Sequence, residues 1–93
     1  MTNEQSVNEW IDLVTAHNRG NDGLWTARFV IEGVTAVEQA VTRVETVDAT
    51  LSPNGPNQEY AVRFQPPSVR AVVRILSDLG ARLSPQQTLA PLV

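Results

Sequence analysis

Between Leu24 and Leu83 the spacing of apolar residues switches repeatedly between a period of two and a period near 3.6, and this switching constrains the fold more than any other feature. Trp25, Ala27, Phe29 and Ile31 alternate with Thr26, Arg28, Val30 and Glu32, the pattern of a half-buried strand. Gly33 ends it. Thr35-Ala36-Val37-Glu38 then has the form of a capping box, opening a helix whose inner face is Val37, Ala40, Val41 and Val44. Val47, Ala49 and Leu51 against Asp48, Thr50 and Ser52 read as a second strand. The Pro/Gly/Asn-rich stretch from Ser52 to Asn57 turns the chain back antiparallel. Tyr60, Val62 and Phe64 alternate with Ala61, Arg63 and Gln65 as a third strand. Pro66-Pro67 stops pairing, and a helix opening at Pro67 or Ser68 carries Val69, Val72, Val73, Leu76 and Leu79 on one broad face. Gly80 is its stop, and Ala81-Arg82-Leu83 reads as a short edge strand.

Upstream, residues 1–5 are polar and expected to fray. Ser6-Val7-Asn8-Glu9 resembles a second capping box, predicting a helix over 6–19 with Val7, Trp10, Ile11 and Val14 on one face and a cationic last turn before Gly20. Residues 84–93 read as a tail, a polar spacer with an apolar tip. No internal repeat or domain boundary stands out, so 1–93 reads as one domain with its core at 24–83. The element order predicts an α+β, ferredoxin-like two-layer sandwich, a helix followed by β-α-β-β-α and a short fourth strand. Its antiparallel sheet is covered by helices on one face, with the first and third strands adjacent at the centre.

The stretch Phe29-Val30-Ile31-Glu32-Gly33-Val34-Thr35 resembles the start of heavy-metal-associated domains, which share this fold. Those domains hold soft metals through two cysteines in the loop after the first strand. Gly33 to Val37 supplies neither, so the resemblance implies the fold without the metal site.

Charge and composition narrow the function. The chain has no cysteine, a net charge of −3, and seven basic residues that are all Arg. An acidic balance disfavours non-specific binding to nucleic acid or anionic membrane, and without Lys there is no Schiff-base or phosphate-loop lysine. No signal peptide or membrane-spanning run is seen, and a cytoplasmic protein is expected. No cofactor or metal is expected either.

Parity places Phe29, Tyr60 and Phe64 on the core side, away from any base-stacking role. The opposite face would carry Arg28 and Arg63 with Glu32, for which a cross-strand ion pair is the expectation and an anion site the alternative. Glu32 and Asp48 read as solvated acids. His17, the only histidine, reads as a helix-end cation. No serine sits in a nucleophile motif, and Arg70, Arg74 and Asp78 read as a solvated helix face. The helix bearing Trp10 and Val14 must bury its face on its own domain or on a second copy, and the tip around Leu92 suits strand addition to a partner.

The expectation is therefore a non-enzymatic protein-interaction or regulatory module, homodimeric, with contacts through Trp10, Val14, Arg28, Arg63 and Leu92. A sensor for a small carboxylate metabolite is the alternative. An enzyme of the cofactor-free dimeric α/β barrel kind, relying on Tyr60 or His17, ranks third.

Overall fold

The computed structural model describes residues 4–88. Its elements are α1 (Glu4–His17), β1 (Trp25–Val30), α2 (Val34–Glu45), β2 (Thr50–Pro53), β3 (Glu59–Phe64), a 3₁₀ turn (Pro66–Ser68), α3 (Val69–Asp78), β4 (Arg82–Leu83) and α4 (Pro85–Thr88). The strands form an antiparallel sheet in the order β2-β3-β1-β4, so the α+β class is as expected. The register of the central pair sets Trp25 opposite Phe64, Ala27 opposite Val62 and Phe29 opposite Tyr60. Those residues face the helices. Ala27, Phe29, Val62 and Phe64 are buried with Val72, Val73 and Leu76 of α3 and Val44 of α2.

Helix α1 belongs to the same layer. Val7 and Val14 are fully buried in the common core, and Trp10 meets Phe29 edge-on with ring centroids 5.9 Å apart. The face that required a cover is therefore covered within the chain. Across the α1/α3 seam Glu4 pairs with Arg74, and Arg70 Nη1 donates to Asn8 Oδ1 at 3.1 Å. The arginines expected on a solvated face thus tie two helices together.

Both long crossover helices end the same way. At α2, the Ala49 N–H donates to Val44 O at 3.0 Å and the Asp48 N–H to Glu45 O at 3.1 Å; at α3, the Ala81 N–H donates to Leu76 O at 3.0 Å and the Gly80 N–H to Ser77 O at 3.1 Å. This is the Schellman arrangement, which needs a left-handed residue at the turn. Gly80 supplies it at φ 80°, but in α2 the position is Asp48 at φ 58°. The second strand accordingly begins at Thr50, and Val47-Asp48 is helix exit. The alternation of Val47, Ala49 and Leu51 is coincidental, because the Ala49 N–H is spent on capping α2.

These paired exits expose a repeat that the linear reading misses. Trp25-Thr26-Ala27-Arg28-Phe29 corresponds to Tyr60-Ala61-Val62-Arg63-Phe64 about a local two-fold axis between Ala27 and Val62. Downstream, the helix exits correspond, Asp48-Ala49 to Gly80-Ala81, while the outer strands are offset by two residues, Leu51 standing opposite Val62 and Leu83 opposite Phe29.

Several local expectations change. α1 begins by Glu4, so Ser6 lies within the helix rather than before it. α2 starts at Val34 after Gly33 at φ 97°, with no side-chain cap, so the Thr35/Glu38 box is not made. Val41 is an exposed residue. The segment after Leu83 is no simple spacer, since Ser84 and Gln87 are buried.

Candidate functional site

The period of two that buries Phe29 and Phe64 sends Thr26, Arg28 and Val30 of β1, and Ala61 and Arg63 of β3, to the opposite face of the sheet. No described helix covers it. Arg28 stands opposite Ala61 and Arg63 opposite Thr26, so the two arginines occupy diagonal corners of a square whose other corners are small. Such diagonal neighbours lie roughly 7–8 Å apart, within joint reach of one extended acidic segment. Thr50 and Ser52 of β2 continue the low surface beyond Arg63 and Ala61.

Neither arginine has an ion-pair partner among the described residues. The expected pairing with Glu32 is not made: Glu32 lies past the end of β1 and pairs with Arg82 at 3.4 Å. Glu59, the other acid nearby, accepts from Asn54 Nδ2 at 3.3 Å. Two adjacent exposed cations without acidic partners among the described residues are notable in a chain of net charge −3.

The sheet edges are partly closed. Along β1, Asn18 takes the Thr26 N–H at 3.0 Å and returns its amide to the Thr26 carbonyl at 2.9 Å; the Arg28 N–H donates to Gln87 Oε1 at 3.1 Å, and the Ser84 N–H donates to Arg28 O at 2.9 Å. Two side chains thus stand in for a strand where β4 has run out. On β2, alternation turns the backbone of Leu51 and Pro53 outward, and Pro53 has no N–H to offer. An added strand would find one outward donor there.

Two clefts flank the sheet. One, of about 280 Å³, lies between the start of α2 and β3 and is lined mainly by Ile31, Val34, Val37 and Tyr60. The other, of about 210 Å³, is polar and is lined by His17, Asn18, Thr26, Arg28 and Gln87.

Of the contact residues expected from sequence, Arg28 and Arg63 are brought together on the uncovered face. Val14 is a core residue with no surface to offer, which corrects its assignment as a contact. Trp10 is half-buried and spends its ring on Phe29. Leu92 lies outside the described residues. Asn18 and Gln87 were invisible as site residues because their partners are 8 and 59 positions away; two buried amides beside an edge strand become a signal only once the topology is known.

Among the described residues no group of three His, Cys, Asp or Glu could hold a metal ion, and no helix is long and apolar enough to cross a membrane. Comparisons with protein families, curated proteins and solved structures find no match.

Proposed function

We propose that this chain is a ferredoxin-like interaction module that seats an acidic segment of another protein on its uncovered sheet face. The carrying observation is the diagonal of Arg28 and Arg63, two exposed guanidinium groups without acidic partners among the described residues, separated only by Thr26 and Ala61. A carboxylate-bearing segment would supply the missing counter-charges, and a planar guanidinium can hold each carboxylate through two parallel hydrogen bonds. The strand order β2-β3-β1-β4, with a crossover helix after β1 and another after β3, supports the ferredoxin-like reading.

Face-to-face homodimerisation gains no support from this surface, because a second copy would bring four guanidinium groups together. The helix α1 face that motivated a dimer is already buried within the chain.

The test is site-specific photo-crosslinking in the native host with the reactive group at position 26, between the arginines, and a control at Glu9 on α1. A discrete adduct formed from position 26 and lost on Arg28→Glu/Arg63→Glu substitution supports the reading. An adduct that survives charge reversal, or none at all, overturns it.

A further inference from the structure

The polar cleft beside β1 contains a side chain whose hydrogen-bonding capacity is only half used. Gln87 is 4% exposed. Its Oε1 is committed to the Arg28 N–H, and its own N–H donates to Ser84 O at 2.8 Å. Its Nε2, carrying two donors, makes no hydrogen bond with any described residue. The same cleft is lined by Arg28 and Thr26, and among the described residues the Arg28 guanidinium has no acid and the Thr26 hydroxyl no partner. Asn18 is a wall rather than a ligand: its amide donates to Val14 O and Thr26 O, and its Oδ1 receives the Thr26 N–H.

We infer that this cleft is a seat for a single carboxylate group, held by the Arg28 guanidinium, Gln87 Nε2 and the Thr26 hydroxyl. The donors match a planar two-oxygen acceptor in kind, since a guanidinium fork and a primary amide can each donate to carboxylate oxygens. Helix α1 ends at His17 on the rim of the cleft, and the partial negative charge of a helix C-terminus opposes a doubly charged phosphate there more strongly than a singly charged carboxylate. The buried placement of Gln87 is what separates this seat from the open face, where the amide two residues along from Arg63, Gln65, is exposed. The inference does not rest on the acidic-segment reading, although Arg28 belongs to both.

The experiment is a titration of the ¹⁵N-labelled protein near neutral pH and at constant ionic strength, with acetate, a capped glutamate and inorganic phosphate as probes, following the Gln87 side-chain amide and the Arg28 and Arg63 Nε–H signals. Acetate should move the Gln87 and Arg28 signals saturably and leave Arg63 still. Gln87→Glu keeps the acceptor that closes the Arg28 N–H but replaces the donors with charge, and should weaken acetate binding by at least roughly tenfold with amide dispersion retained. Arg43→Ala, on the exposed side of α2 and outside both sites, should leave it within about twofold, and saturable acetate shifts at Gln87 and Arg28 would stand even if the crosslinking test of the open face failed. Capped glutamate binding more tightly than acetate would identify the source as a partner's acidic side chain; equal or tighter acetate binding would identify a free small carboxylate. The inference is overturned by no saturable shift, by equal shifts at Arg63, by tighter binding of phosphate, or by undiminished binding to the Gln87→Glu variant.

Discussion

Asn18 holds Thr26 at both ends of its peptide unit: the Thr26 N–H donates to Asn18 Oδ1 at 3.0 Å, and Asn18 Nδ2 donates to the Thr26 carbonyl at 2.9 Å. A side chain at the exit of α1 thereby completes the ladder of β1. Asn18→Ala would leave both backbone groups without their partner, and should lower unfolding free energy by about 2–3 kcal/mol in urea denaturation. The uncovered edge should also make the variant self-associate as concentration rises, read by sedimentation. A variant as stable and monodisperse as the parent would remove Asn18 from this role.

The two helix exits make a reciprocal prediction. Asp48 and Gly80 occupy equivalent left-handed positions, at φ 58° and 80°. Gly80→Ala should cost about 1–2 kcal/mol through backbone conformation alone, since an added Cβ meets nothing within 4 Å. Asp48→Gly should be neutral or stabilising by up to about 1 kcal/mol, as relief of strain is partly offset by the greater freedom of unfolded glycine. Denaturant midpoints with an unchanged slope would establish both.

Trp10 and Val14 should behave as core residues rather than as contacts. Val14→Ala should cost roughly 2 kcal/mol and Trp10→Ala about 3 kcal/mol, the latter reduced by partial exposure. Partner binding per folded molecule should stay unchanged in both. Lost binding in a fully folded Trp10→Ala protein would restore that residue as an anchor.

The exposed pair of Glu4 and Arg74 predicts a salt-sensitive acid response. Arg74, chiefly through its hydrogen bond to Glu4, holds that carboxyl below its ordinary value of 4.5, and Glu4 in turn raises the Arg74 guanidinium. A depressed carboxyl contributes stability that is present above its unfolded value and lost as pH falls through the folded one. The difference between the parent and Glu4→Gln should therefore be seen near neutrality, shrink as the solution is acidified below the unfolded value, and shrink again in high salt. A difference that persists at low pH would assign the effect to packing.

Arg28 and Arg63 carry the opposite expectation. As exposed side chains without ion pairs among the described residues, each should be replaceable by Ala with a stability change within about 0.5 kcal/mol, measured by thermal and urea unfolding. A much larger loss would mean that the guanidinium groups serve the fold.

The parity of Trp25 through Ile31 and of Tyr60 through Phe64 made the central strands and their two faces legible, and with them the placement of Arg28 and Arg63. Their freedom from Glu32 was not legible, because it depends on β1 ending at Val30 and on Arg82 arriving beside it from the far end of the chain. Asp48 concealed the second helix exit, since the left-handed residue announced by Gly80 is there an aspartate. The internal repeat was hidden because the span from Phe29 to Val44 is three residues longer than that from Phe64 to Leu76, and Gly33-Val34 stands where the other half has prolines.

The two-fold axis between Ala27 and Val62 has a directional consequence. An elongated acidic ligand laid across the sheet would meet the same two cations whichever way it ran, much as a plug with two identical pins enters a socket either way round. Only the flank occupied by α1 and α4 has no counterpart on the β2 side, so the polarity of anything bound there would be read from that flank.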